Sequence, residues 1–388
     1  MMTWTVLALL SVLVAVLVGW ALPAWAADRI AGSAGADANA PSDAPERRGR
    51  PTLGLAWLIW AIGVATASSI VALLMLKADT LGLVFGWQEA EWRAALNYSP
   101  FASAIIVVPL LLVAGAFALG LVDDTFAGSG TSGWFAGLRR GRLDGRGIKT
   151  LGIAALGFVT AGPIANGIGR IDSMVADAAG WSQGAYLILA WTAAALVVGL
   201  AARLVDRSDT EPGRALRTYA VLAFVGAGVS CWGLWTVFEK TLMQSAINAG
   251  VAGADAATAG LPIGNEALIW VAGTVACVLA LVFGPMLAVW PHDLARRARL
   301  GSAGSLAMGA LAGYLLARSA PLWLLGVFTL VLIALNLMTG SATSPTGEYV
   351  QSAASAGESV DAEHAVDDGT RAGGPTAEDD DARRDDVS

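Results

Sequence analysis

The chain has 388 residues, of which 56% are hydrophobic and 14% charged, with a mean hydropathy of +0.62 and a formal net charge of −7. Those proportions exclude an ordinary water-soluble domain and predict an all-α, polytopic integral membrane protein. Much of the negative charge lies in the C-terminal tail, so it says little about what the apolar core binds, and no nucleic-acid partner is expected.

Apolar runs of roughly 20 residues, the length that crosses a bilayer, lie near residues 3–26, 53–76, 101–122, 150–169, 185–202, 219–238, 267–290 and 320–338. A shorter run at 303–318 brings the expectation to about nine transmembrane helices. Their Gly and Ala content suits close backbone approach between membrane helices. Residues 1–26 read as the first transmembrane helix or as a signal-like segment, because LPAWAAD offers a small-residue cleavage pattern around Ala24 and Ala26. The start of that run carries no Lys or Arg and its apolar stretch is long for a signal, which favours a retained helix. Residues 27–51 read as a polar cytoplasmic loop that turns basic at PERRGRP, and residues 52–340 as the main membrane domain. Residues 341–388 lack a periodic apolar face, close on EDDDARRDDVS and read as a disordered acidic tail.

With the N-terminus outside, the loops around 27–51, 123–149, 203–217 and 291–302 collect most of the arginines. By the positive-inside rule those loops and the tail are cytoplasmic, in a multi-pass protein of the cell membrane. Cys231 and Cys277 lie in separate apolar runs, which favours buried thiols over a disulfide or a metal pair.

The polar residues at the cytoplasmic ends are the candidates for chemistry. The run GLVDD finishes a helix on Asp123 and Asp124, a pair that repels itself unless solvated, protonated or bound to a cation. Exposed acids capping a loop are the alternative. In RLVDRSDTEPGRALR, Asp206 and Asp209 share a face if the helix continues, and Pro212 and Gly213 then break it. Ion pairing with Arg203, Arg207, Arg214 and Arg217 is the alternative there. His292 and Asp293 precede the glycine-rich LGSAGSLAMG, where Gly301, Gly304 and Gly309 serve either a phosphate or helix packing. Carboxylates can hold Mg²⁺, arginines can fork onto phosphate oxygens and apolar grooves can take a lipid tail. Together they suggest a site where a phosphorylated soluble substrate meets a lipid phosphate.

In their order along residues 45–350 these motifs resemble glycosyltransferase family 4, the superfamily of phospho-N-acetylmuramoyl-pentapeptide transferase and the polyprenyl-phosphate N-acetylhexosamine-1-phosphate transferases. The matching segments are GRPTLGLA, GLVDD, GWFAGLRRGRLDGRGIKTLG, RLVDRSDTEPGRALR, LGSAGSLAMGALAG and LNLMTGSATSPTGEYV, closest to a divergent branch. The resemblance implies a transmembrane transferase-like domain over 52–340 with a cytoplasmic polar cleft. It further implies catalytic Asp123, Asp124 and Asp209, metal contacts from Asp123, Asp124, Asp206 and Asp209 to Mg²⁺, and phosphate binding by Lys149, Arg139, Arg140 and Arg214. The substrates it implies are a UDP-sugar and polyprenyl phosphate, whose reaction forms a lipid-linked sugar diphosphate and releases UMP. It implies membrane lipids as partners, and homodimers are frequent in the family. Two positions depart from the pattern: Arg203 stands where the family has Asn, and Ser302 where it has the Mg²⁺-binding Asp. A neutral hydroxyl is a much weaker magnesium ligand than a carboxylate. The alternatives are therefore a catalytically degenerate homologue that binds lipid phosphate or scaffolds cell-envelope synthesis, and a transporter, which the lack of mid-membrane charge disfavours.

Overall fold

The computed structural model describes residues 2–36, 51–76, 104–126, 149, 151–164, 183–248 and 265–341. Every named element is a helix. In chain order these are α1 (Met2–Val16), a π-helical turn (Leu17–Ala21), α2 (Leu22–Ala36), α3 (Gly54–Leu76), α4 (Ala104–Phe126) and the short α5 (Leu151–Ile164). They are followed by α6 (Gln183–Arg207), α7 (Arg214–Asn248), α8 (Asn265–Leu294), α9 (Gly301–Arg318) and α10 (Leu322–Ser341). The chain divides into two units, Met1–Thr339 and Gly340–Ser388, and the second contributes only Gly340 and Ser341 to the described residues.

Among the described residues, five stretches are long and apolar enough to cross a membrane: Ala8–Ser33, Gly184–Arg207, Arg214–Gly233, Ala272–Leu294 and Leu322–Thr339. Gly54–Ile70 and Leu151–Ile164 are shorter apolar helices. The outer surface is itself apolar: Phe224 and Leu330 are 72% and 70% exposed. A soluble protein would hide such side chains, whereas hydrocarbon solvates them. The all-α, polytopic expectation therefore stands, with five described spans.

The core runs along α9. Its side chains are buried from Ala303 to Ala317, and it packs against α3, α4, α6 and α7. Small residues make this enclosure possible, because lipid tails supply no hydrophobic drive between helices and tight contact has to supply the attraction. Gly309 and Gly313 meet the α6 backbone at Ala201, Ala202 and Val198. Trp57, Trp60 and Tyr219 meet edge to face, with ring centroids 5.7 and 5.8 Å apart, and join α3 to α7.

Two boundaries differ from the sequence reading. The first helix continues past residue 26 to Ala36, because Ala26 and Ala27 are buried and Asp28 finds His292 at the end of α8, with Nε2 and Oδ1 3.0 Å apart. Helix α6 stops at Arg207, before Pro212: the Ser208 hydroxyl bonds back to the Leu204 carbonyl at 2.7 Å, and the chain then turns through Gly213 at φ +74°.

Candidate functional site

The end of α4, the head of α5, the end of α6 and the start of α9 meet at one end of the bundle. The segment before α3 joins them, since Leu53 N–H donates to the Arg299 carbonyl (2.8 Å) and Arg299 N–H to the Pro51 carbonyl (3.0 Å). The four polar segments that charge bias assigned to one side are thus in contact.

At the centre stands Lys149. Its ammonium donates to Asp123 Oδ2 at 2.7 Å, Asp206 Oδ2 at 2.6 Å and Ser302 Oγ at 2.9 Å. Three N–H groups meet three acceptors, so the ammonium is fully satisfied. The Ser302 hydroxyl lies 2.9 Å from Asp123 Oδ2 and 2.8 Å from Asp206 Oδ1, and with one proton it donates to one of them at a time. Ser305 Oγ adds a bond to Asp206 Oδ1 at 3.0 Å. The side chains of Lys149, Asp123 and Asp206 are 15%, 19% and 13% exposed, so solvent screens them little. Burial pulls the Lys149 ammonium toward neutrality, but the Asp206 charge and the bonds to both carboxylates outweigh it and hold the pKa above the usual lysine value.

Asp124 points elsewhere. Neighbours on a helix diverge by about 100°, and its two oxygens accept the backbone N–H groups of Ser302 and Ala303, each at 3.2 Å. It caps the first turn of α9 from another helix, where the dipole favours negative charge. Gly301 allows this by taking φ +75° at the head of α9, and a Cβ there would crowd Asp124 and Thr52. Gly120 brings α4 close enough: a methyl on it would collide with the Ser302 carbonyl and the Ala303 backbone. Those opposing atoms are backbone and cannot rotate aside. Gly120→Ala is therefore expected to cost about 1–3 kcal/mol despite the better helix propensity of alanine. Unfolding of the variant in detergent checks this, and stability equal to wild type would refute the close contact.

Asp209 lies outside the lysine cluster. Because α6 ends first, Asp209 does not share a face with Asp206 but accepts the Gly301 N–H at the head of α9. Burial, then the charges of Asp293 and Asp206, push its pKa up to about 7, against the partial opposition of the Gly301 bond and Arg299. Asp293 in turn accepts the Gly213 N–H at 2.7 Å. The two inter-helix turns thus clasp each other through one carboxylate apiece.

Of the phosphate-binding candidates, Lys149 is committed to the cluster. Arg214 is exposed and lies 3.8 Å from Glu211. Arg139 and Arg140 lie outside the described residues. Arg203, Arg217, Arg296, Arg297 and Arg299 are exposed around the same end, while Arg207 donates to the Asn336 carbonyl at 2.9 Å. Ser305 and Gly120 were not singled out from the sequence, though each stands three residues from a candidate and so shares its helix face.

The donor set fits magnesium poorly. Asp206 has both oxygens in use, Asp123 has one committed to Lys149, Asp124 is held by backbone donors, and the remaining position is the neutral Ser302. Among the described residues no group of three or more His, Cys, Asp or Glu side chains is placed to hold a metal ion. The N-terminus of α9 is also committed, since the N–H groups of Gly301, Ser302 and Ala303 all serve carboxylates. Compared with known proteins, the chain matches no family model, no curated protein and no solved structure.

Proposed function

We propose that this chain is a catalytically silent relative of the polyprenyl-phosphate sugar-phosphate transferases. Its polar centre holds the bundle together without a resident magnesium ion, and its arginine-rich face engages the phosphates of anionic lipids, polyprenyl phosphate among them. The observation that carries this reading is the position of the Lys149 ammonium, which supplies the positive charge that Asp123 and Asp206 require. Nine spans, a cytoplasmic polar end and a cytoplasmic tail are part of the same proposal, supported by the clustering of basic loops at one end of the bundle. So is a role as a membrane scaffold in cell-envelope synthesis.

A second reading, an active transferase, is favoured by one observation: burial and the charges of Asp293 and Asp206 push the Asp209 carboxyl up to about 7. A group with such a pKa can exchange a proton with a phosphate at working pH. In that reaction a lipid phosphate oxygen attacks the β-phosphorus of the UDP-sugar, forming a new diphosphate bond as the bond to UMP breaks.

UMP release separates the two. Purified protein with a panel of UDP-N-acetylhexosamines, polyprenyl phosphate and Mg²⁺ is expected to release none above background, while binding polyprenyl phosphate through Arg296, Arg297 and Arg299. Their joint replacement by Gln should weaken that binding by tenfold or more, at about 1 kcal/mol per surface arginine. Turnover by wild type that disappears in Asp123→Asn would overturn the proposal and establish the enzyme.

A further inference from the structure

The end of the bundle away from the acids holds a different kind of site. A small, open cavity lies between α3, α4, α8 and α9. Trp60, Val64, Pro109, Leu281 and Leu311 contribute to an almost wholly apolar wall, and Arg318 stands in the last turn of α9 as its one charged residue. At 1.5 Å per residue, Arg318 lies about 24 Å along the helix from Ser302. That is close to the hydrocarbon thickness of a bilayer, roughly 30 Å. Arg318 therefore sits near the headgroup level of the leaflet opposite the acidic centre. The turn that follows, Ser319 to Pro321, leads to Trp323, 68% exposed, a residue type that collects at such interfaces.

Arg318 is half-buried, and among the described residues no carboxylate lies within ion-pair distance of it. The titratable groups it faces are Cys231 and Tyr314. The C-terminal dipole of α9 compensates it only in part. A half-buried cation at the headgroup level is placed to meet a lipid phosphate. Trp60, 4% exposed, forms part of the apolar wall.

We infer that this cavity seats one acyl chain of an anionic phospholipid from the leaflet opposite the acidic centre, with the lipid phosphate on Arg318. Charge complementarity selects the occupant. A neutral apolar molecule leaves the arginine uncompensated, and a soluble anion leaves the apolar wall unfilled. The site is separate from the arginine face of the other end and does not depend on it.

The test is lipid binding to delipidated full-length protein, read by native mass spectrometry with phosphatidylglycerol and phosphatidylcholine of matched chains. With Arg296, Arg297 and Arg299 all replaced by Gln to silence the arginine face, the protein is expected to hold phosphatidylglycerol about fivefold more tightly, the factor a single near-surface arginine contributes. Arg318→Gln should reduce that preference to none and Arg318→Lys should retain most of it. Phosphatidylglycerol with brominated chains is then expected to quench a component of the tryptophan fluorescence that is missing in Trp60→Phe. Equal affinity of that background for the two lipids, or a preference in it that survives Arg318→Gln, would overturn the phosphate contact. Quenching of equal extent in wild type and Trp60→Phe would overturn the seat in the cavity.

Discussion

Lys149→Met is expected to cost the folded bundle about 3–5 kcal/mol, the range for removing one partner of a buried ion pair. The substitution preserves much of the side-chain length and apolar body and deletes only the ammonium. Asp123 and Asp206 would then share the Ser302 hydroxyl with no cation between them. Their mutual repulsion and desolvation, not the lost attraction alone, set the size of the effect. Unfolding in mild detergent at pH 7 measures it. Adding Asp123→Asn to Lys149→Met should recover at least half of the loss, because one uncompensated charge is removed. A single variant within about 0.5 kcal/mol of wild type, the range of ordinary surface substitutions, would mean that the cluster is solvated and holds nothing together. The same pair predicts behaviour toward magnesium. Wild type should gain no stability from millimolar Mg²⁺, whereas Lys149→Met with Ser302→Asp, which replaces ammonium and hydroxyl by a third carboxylate, should gain it by mass action.

The second large effect is a pH dependence centred on Asp209. Its carboxyl titrates near 7 in the folded protein and near 3.8 when free. Between those values the folded state keeps a proton that the unfolded state has lost, so stability falls as pH rises. The contribution is fully present below about 3.8 and gone above about 7. Three units at about 1.4 kcal/mol each put its span near 4 kcal/mol. Asp209→Asn keeps an acceptor for the Gly301 N–H and carries no charge, so it should be more stable than wild type at pH 8 and indistinguishable at pH 4. The difference between the two proteins isolates this group from others that titrate in the same interval. A difference independent of pH would place Asp209 in water, away from Asp293. The prediction also bears on function, because a carboxyl that is protonated at pH 6 and charged at pH 8 changes the potential at the head of α9 over that interval.

Part of this architecture was legible in the sequence. Apolar runs of bilayer length have one structural outcome, since a backbone in hydrocarbon must satisfy its own hydrogen bonds and a helix does so within the segment. Alternate crossing then brings every second loop to the same end. Asp123, Lys149, Asp206 and Ser302 could therefore be grouped from chain order and charge bias, and all four meet. What no local pattern contained was the role of each. Asp123 and Asp124 are adjacent and chemically identical, yet one takes an ammonium and the other caps a helix, because their directions diverge and different elements stand in each direction. Asp206 and Asp209 part company because α6 ends between them. The bond from Lys149 to Ser302 spans 153 positions, and whether a lysine or a metal neutralises two acids depends on which side chains packing brings within 3 Å. The sequence by itself determined a helical membrane protein with most of its arginines in alternate loops, because solvent and chain connectivity act on every segment separately. Only the tertiary structure decided that those acids are already neutralised and capped from within, because those partners come from different helices and exist only once the helices have packed.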